Sequence, residues 1–262
     1  MIKRVVLLLA FVVGSVAPSM AQLAAPGESG VVMGHVHLTA KDMDATRRFF
    51  TTIGGAPIQN GTLQMIQFPG VEVLLRQGEP TGPSVGSVVN HFGFLVNDIK
   101  TSIAKWQAGG IMVETTQRAD QAYLTSPDGM RIEILEDKTI AEPIRMHHIH
   151  WNIVAVPEMQ AWYAKVFGAK PGMRGTNVAA DLPGVNLTFG KVDVTNVGTR
   201  GRALDHIGFE VRDLPGFIAK LEAAGIKTEG PMRKAGNGTT SIAFLTDPWG
   251  TYIELTEGLA PK

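Results

Sequence analysis

A short strand that opens with histidine and runs into an amphipathic helix occurs four times in this chain of 262 residues. These strands share one alternation of polar and apolar residues, and they are Gly34-His35-Val36-His37-Leu38, Asn90-His91-Phe92-Gly93-Phe94, His147-His148-Ile149-His150-Trp151 and Asp205-His206-Ile207-Gly208-Phe209. Asp42, Asp98 and Asp213 each follow a strand-opening histidine by seven positions, where a helix N-cap is expected. The repeat therefore predicts four βαβββ units, with helices over 42–53, 98–109, 157–167 and 213–224.

The four units are predicted to pair in chain order, which gives an α+β protein with two tandem cup-shaped domains. The first domain would span residues 33–137 and the second residues 146–258, with a polar linker over 138–145 between them. Each half closes with a Pro-x-Gly turn followed by a strand that carries a glutamate, Glu133 in one half and Glu254 in the other.

The amino-terminal residues have the layout of an export signal. Lys3 and Arg4 precede an apolar run over 5–13, and Ser19-Met20-Ala21 follows as a small-residue cleavage pattern. This layout predicts a secretory signal peptide over 1–21 and a leader over 22–32, and hence a periplasmic or secreted protein. An uncleaved membrane anchor is the alternative, although the run is shorter than the about 20 residues that span a bilayer.

Composition excludes several classes of function. The formal net charge is zero and the sequence has no basic block, which argues against a nucleic-acid partner. No segment after the signal could cross a membrane, and the sequence is compatible with a homodimer. Because the chain has no cysteine, it forms no disulfide, and any bound metal must be held by nitrogen and oxygen.

All seven histidines lie in the four strand openings, at positions 35, 37, 91, 147, 148, 150 and 206. Residues two apart on a strand share a face, so all of them except His147 are predicted to lie opposite the apolar residues. The alternative is a sheet with one solvent-exposed face, on which the histidines only make structural hydrogen bonds. Two histidines and one glutamate, in register in both halves, favour a ligand or metal site.

The combined motifs resemble the vicinal oxygen chelate superfamily, which includes glyoxalase I, extradiol dioxygenases, and the fosfomycin and bleomycin resistance proteins. The resemblance covers about residues 33–257. It rests on the His-to-Asp spacing, on the helix pairs Phe49-Phe50 and Trp162-Tyr163, and on the closing runs Pro-Asp-Gly-Met-Arg-Ile-Glu and Pro-Trp-Gly-Thr-Tyr-Ile-Glu. It implies that the concave face of a cup carries the ligands of a divalent metal ion (Zn, Ni, Mn or Fe), and the sequence leaves open which of the two cups has a working site.

Carried over by position, the resemblance implies two metal sites, His35 with His91 and Glu133, and His148 with His206 and Glu254. Two further histidines on the same faces, His37 and His150, are candidate catalytic acid–base groups, replacement ligands or structural hydrogen-bonding residues.

Three alternatives stay open around these sites. Glu133 could instead pair with Arg131, two residues away on the same face. Glyoxalase-type sites use a fourth ligand, for which Glu72 and Asn186 are the nearest candidates. Glu72 alternates with apolar neighbours, which raises the alternative that its side chain faces away from the site.

Three functions compete at this point. The leading hypothesis is a metal-dependent enzyme that moves a proton on a small substrate chelated through adjacent oxygens, as in glyoxalases and isomerases. The second is an Fe(II) extradiol-type dioxygenase, although the last unit has no second histidine or tyrosine between Gly230 and Thr246. The third is a non-enzymatic drug-binding protein of the bleomycin-resistance type, with Trp249 and Tyr252 near the second cup.

Overall fold

The computed structural model describes residues 23–236 and 238–259, and the predicted signal peptide lies outside them. It contains sixteen strands and four helices in these ranges. In chain order they are β1 (Val31–Ala40), α1 (Met43–Thr52), β2 (Ala56–Asn60), β3 (Leu63–Phe68), β4 (Val71–Gln77), β5 (Val89–Val96), α2 (Ile99–Ala108), β6 (Val113–Thr115), β7 (Gln121–Thr125), β8 (Arg131–Glu136), β9 (Ile144–Ile153), α3 (Val156–Phe167), β10 (Lys170–Arg174), β11 (Asn177–Leu182), β12 (Val185–Lys191), β13 (Leu204–Val211), α4 (Leu214–Ala223), β14 (Arg233–Lys234), β15 (Ser241–Thr246) and β16 (Tyr252–Glu257).

The strands form two sheets of eight, and each sheet combines two βαβββ units. Sheet I has the order β14-β15-β16-β13-β1-β4-β3-β2, and sheet II has the order β10-β11-β12-β9-β5-β8-β7-β6. The predicted α+β class and the four-unit organisation are confirmed. Strand β1 begins two residues before the predicted start of the first domain.

The predicted pairing of the units is wrong. Unit one pairs with unit four, because β1 lies antiparallel to β13, and unit two pairs with unit three, because β5 lies antiparallel to β9. The predicted linker therefore joins two units of one sheet, whereas residues 78–88 and 192–203 connect the two sheets. All four opening strands carry the same alternation, so the pattern fixes which face is polar and leaves the partner strand undetermined.

The helices lie where the caps predict them. Asp42, Asp98 and Asp213 each accept a hydrogen bond from a backbone N–H in the first turn, and the Ala155 cap of α3 makes no such bond. Each helix covers the apolar face of its own unit, and the buried residues form one main core. Phe68 of sheet I and Phe94 of sheet II meet in this core, with ring centroids 4.6 Å apart. Among the described residues, no helix is long and apolar enough to span a membrane.

Candidate metal centres

The concave face of sheet I brings together four potential ligands, which we call the sheet I site: His35, His37, His206 and Glu254. Their ligand atoms all lie within 4.8 Å of one another. Glu254 Oε2 is 3.0 Å from His35 Nε2 and 2.9 Å from His206 Nε2. The two histidines come from β1 and β13 at the junction of units one and four, and the glutamate comes from β16.

Sheet II carries a matching set, the sheet II site: His91, His148, His150 and Glu133. Glu133 Oε2 is 3.2 Å from His91 Nε2 and 2.8 Å from His148 Nε2. The ligand atoms of the three histidines also lie within 4.8 Å of one another. Each sheet thus places two imidazoles and one carboxylate at a single point.

The ligand grouping expected from the sequence is corrected by this geometry. His35 was grouped with Glu133 but lies with Glu254, and His148 was grouped with Glu254 but lies with Glu133. The reason is the unit pairing, since β1 adjoins β13 and β5 adjoins β9. His91 stays with Glu133, and His206 stays with Glu254, because each of these pairs comes from one unit.

A glycine opposite each innermost imidazole makes room for the ring. Gly208 lies in register with His35, and a Cβ atom placed on it would lie 2.0 Å from Cε1 of that ring. Gly93 lies in register with His148, and a Cβ atom there would lie 2.1 Å from Cε1. Both imidazoles are fully buried and pack against the backbone of the glycine opposite, so any side chain at either glycine would displace the ring.

The other histidine of each site is oriented by the residue just before it. Asp205 Oδ1 accepts a hydrogen bond from His206 Nδ1 at 2.6 Å, and Asn90 Oδ1 accepts one from His91 Nδ1 at 2.9 Å. Both residues lie at a register shift in their strand, which lets neighbouring side chains reach each other. With Nδ1 engaged in this way, Nε2 is left for a metal.

Both carboxylates stay ionised. Burial by itself raises the pKa of Glu254, but hydrogen bonds from His206 and His35 outweigh it and hold that pKa well below its usual range. Glu133 has the same balance, with His148 and His91 as its partners, and its pKa is also lowered.

The two imidazoles that face these carboxylates differ. Burial lowers the pKa of His91, and its bond to Glu133 only partly offsets this. In His206 the same burial is outweighed by hydrogen bonds to Asp205 and Glu254, so the pKa is raised. The residue that orients the histidine is a charged aspartate in sheet I and a neutral asparagine in sheet II. This difference explains why the pKa of His206 is raised and that of His91 is lowered.

His37 and His150 lie beside the ligands on the same faces, as predicted. The His37 ring centroid is 4.4 Å from that of His206, and the His150 centroid is 4.6 Å from that of His91. Both are half-buried and neutral at neutral pH. Burial and the neighbouring histidines lower the pKa of His37, while burial, His91 and Arg174 lower that of His150 to about 3.

Neither candidate for a fourth ligand joins a site. Glu72 lies in register with His35 and therefore shares its face, but it does not belong to the ligand group within 4.8 Å. Its carboxylate is fully buried without a hydrogen bond, and burial followed by the charge of Glu210 raises its pKa to about 8. Asn186 lies in register with His148 and bonds to Asp181 instead.

The suggested ion pair between Arg131 and Glu133 does not form. Arg131 contacts Glu114 at 3.4 Å and stacks over Tyr123, with its guanidinium carbon 4.0 Å from the ring centroid. Glu133 Oε1 instead accepts hydrogen bonds from Gln121 and Tyr123.

Trp249 and His147 lie in places that differ from the expectation, whereas Tyr252 lies near the cup as expected. Trp249 packs against Trp162 in the core and not in the cup, whereas Tyr252 stacks on Phe244 beside His206. His147 was expected on the opposite face, but it lies at a register shift, with Nδ1 3.1 Å from Nδ1 of its neighbour His148.

Sequence reasoning missed four residues that shape the sites: Asn90, Asp205, Arg174 and Phe244. For the first two a signal was present, because an amide or carboxylate directly precedes the strand-opening histidine in units two and four. Arg174 and Phe244 lie on outer strands, and no motif marks them.

Both sites fit a divalent cation. Ligands at right angles on one ion, each about 2.1 Å from it, lie about 3 Å apart, and the nitrogen–oxygen distances within each triad run from 2.8 to 3.2 Å. In sheet I, the fully buried His35 Nδ1 has no hydrogen-bond partner, so the internal bonds of that site do not use all of its nitrogen atoms. Two imidazoles and one carboxylate suit Zn, Ni, Mn or Fe.

Comparison with known proteins confirms the resemblance inferred from the sequence. Residues 145–255, somewhat less than half of the chain, match the family model of the Glyoxalase/Bleomycin resistance protein/Dioxygenase superfamily. The matched stretch supplies one unit to each sheet. A comparison with curated proteins gives no match.

Solved structures share the fold over most of the chain. Glyoxalase I from Zea mays is similar with a TM-score of 0.65 and 17% identity, covering 87% of this chain and 92% of that one. A putative dioxygenase from Bacillus subtilis subsp. subtilis str. 168 is similar with a TM-score of 0.67 and 12% identity, covering 91% of this chain and 87% of that one. At these identities the likeness concerns the fold alone.

Proposed function

We propose that the protein is a metal-dependent enzyme acting on a small substrate that binds through two neighbouring oxygen atoms. The observation that carries the proposal is the convergence of two imidazole nitrogens and one carboxylate oxygen in each sheet. Three ligands on one side of an ion leave its other side open to substrate. A bound divalent metal would supply Lewis acidity towards the two substrate oxygens.

His37 and His150 are the groups proposed to move a proton on the substrate. Each is a neutral imidazole beside a triad, and each is partly open to solvent, unlike His35 and His148. A neutral imidazole can accept a proton from a carbon next to the chelating oxygens and return it to the neighbouring carbon. Glyoxalase- and isomerase-type reactions require this proton transfer, so this chemistry is the leading candidate.

Elemental analysis of the purified protein tests the proposal. We expect about two equivalents of divalent metal per chain, and about one after either Glu254→Gln or Glu133→Gln, because each replacement removes the carboxylate of one site. Glu222→Gln, on the exposed side of α4, is the control and should retain both. Metal content far below one equivalent in the unaltered protein would defeat the proposal.

A second candidate is an Fe(II) enzyme that activates dioxygen against a catechol-like substrate. The favouring observation is that neither site gains a second carboxylate: Glu72 of β4 lies outside the sheet I ligand group, and β12 holds the neutral Asn186 in register with His148. Two histidines and one carboxylate with open positions are typical of non-haem iron oxygenases. Oxygen consumption with a panel of catechols in the presence of Fe(II) separates the two candidates, since proton transfer consumes none.

Export is proposed on the amino-terminal sequence alone. A mature chain that begins at Gln22 would support it, and intact mass measurement on protein recovered from the periplasm or medium is the test. Finding the full-length chain only in the cytoplasm would contradict it.

A further inference from the structure

A guanidinium lies across the concave face of sheet II, next to the ligands. Arg174 is the last residue of β10, and its side chain is 21% exposed. Its Nε donates a hydrogen bond of 2.8 Å to Thr188 Oγ1, and Thr188 lies in register with His150. The Arg174 charge therefore lies above the same strands that carry the histidines.

Most hydrogen-bonding capacity of this guanidinium is unused. An arginine side chain has five N–H donors, and among the described residues the Nε bond to Thr188 is the only hydrogen bond that the Arg174 side chain makes. Its Nη2 is 3.8 Å from Glu133 Oε2, beyond hydrogen-bonding distance. The terminal N–H groups thus have no hydrogen-bond acceptor among the described residues, although Nη2 lies within ion-pair distance of the Glu133 carboxylate.

The fold itself does not require a cation at this position. The equivalent residue in sheet I is Asn60. Asn60 is the last residue of β2 and pairs with the first residue of β3, just as Arg174 is the last residue of β10 and pairs with the first residue of β11. Asn60 is neutral and donates a hydrogen bond to the backbone oxygen of Leu259, which packs into that cup. Of the arginines in sheet I, Arg76 is already paired with Asp205 at 3.0 Å, and Arg233 lies over Phe244 with its guanidinium carbon 5.6 Å from the ring centroid.

We propose that the sheet II site takes a 2-oxo or 2-hydroxy acid, and that Arg174 binds its carboxylate. In such a substrate the carboxylate is attached directly to the carbon that bears the other chelating oxygen, so an anionic oxygen lies close to the ligand cluster. A planar guanidinium with free terminal N–H groups is suited to bind it. This inference rests on the proposed metal site in sheet II and makes the two sites different in specificity.

The test is ligand binding to protein in which only sheet II can hold metal. In a Glu254→Gln chain loaded with Mn²⁺, isothermal titration would measure the affinity for oxalate and for hydroxyacetone. Both probes offer two adjacent oxygens, but only oxalate carries carboxylates. Arg174→Gln should weaken oxalate binding by about 10- to 100-fold, the loss expected for a charge-assisted contact, and change hydroxyacetone binding by less than about twofold.

Controls separate the inference from the proposed function. Arg48→Gln removes the same charge from the exposed side of α1 and should leave both affinities unchanged within about twofold. Arg174→Lys keeps the positive charge but lacks the planar pair of N–H donors, and it should bind oxalate more tightly than Arg174→Gln and less tightly than the unaltered protein. Retained metal with unchanged oxalate affinity in Arg174→Gln would overturn the inference alone, as would an equal loss for both probes. A Glu254→Gln chain that binds no metal would overturn the proposed function as well.

Discussion

Stability should fall as the pH rises from about 5 to about 8, and replacing Glu72 with glutamine should remove this fall. Glu72 is fully buried on β4, and neither of its carboxylate oxygens has a hydrogen-bond partner. Burial and then the charge of Glu210 raise its pKa from 4.5 to about 8. The folded protein therefore holds a proton on Glu72 over a pH range in which the unfolded chain has lost it.

The sign of the effect follows from this difference in bound protons. Where the folded state binds more protons than the unfolded state, the free energy of unfolding decreases as the pH rises. Each tenfold change in the dissociation constant is worth about 1.4 kcal/mol, so a pKa raised from 4.5 to about 8 corresponds to at most about 5 kcal/mol. The loss begins near the unfolded pKa and is complete above the folded pKa.

Urea denaturation at a series of pH values, with a chelator present to remove metal linkage, measures this effect. Glu72→Gln should be the more stable protein by several kcal/mol, about 3 to 5, above pH 8, and the two should converge near pH 5, because glutamine never ionises. Glu222→Gln on the surface should leave the pH profile unchanged. Parallel profiles for the unaltered protein and Glu72→Gln would refute the reasoning.

Three further variants test the sites. Gly93→Ala should displace the His148 ring and abolish metal binding in sheet II, as measured by metal content, whereas Gly172→Ala, whose added Cβ would have no neighbour within 4 Å, should retain it. Asp205→Ala should weaken metal binding in sheet I by about 10- to 100-fold in a competitive chelator titration, because the acceptor that orients the adjacent imidazole is lost. Leu259→Ala should lower the free energy of unfolding by about 2 to 4 kcal/mol in urea, because Leu259 is buried in a small apolar cluster, and an unchanged midpoint would contradict that packing.

Local features of the fold could be predicted from the sequence because they depend on residues close together in the chain. Asp42 and Asp98 cap helices where their spacing to histidine indicates, and the alternation around Val36 places His35 and His37 on the concave face. Pattern and capping act within one unit, and the predicted βαβββ order of each unit is confirmed.

The assembly of the units could not be predicted in the same way. His35 and His148 open strands with the same alternation, so either could have joined Glu133 or Glu254 by pattern alone. The choice depends on which strands pair across a sheet, which is a contact between residues about 170 positions apart for β1 and β13. Register shifts at Asn90 and in β9 also move side chains to a face that strict alternation does not assign to them.

The crossed ligand sets are tested most directly by metal content in two double variants. If His35 belongs with Glu254, then His35→Ala with Glu254→Gln disables one site and leaves about one equivalent, whereas His35→Ala with Glu133→Gln disables both and leaves none. Sites built from contiguous halves of the chain would give the reverse result. About one equivalent in the His35→Ala, Glu133→Gln protein, and none in the other, would contradict the arrangement described for both sheets.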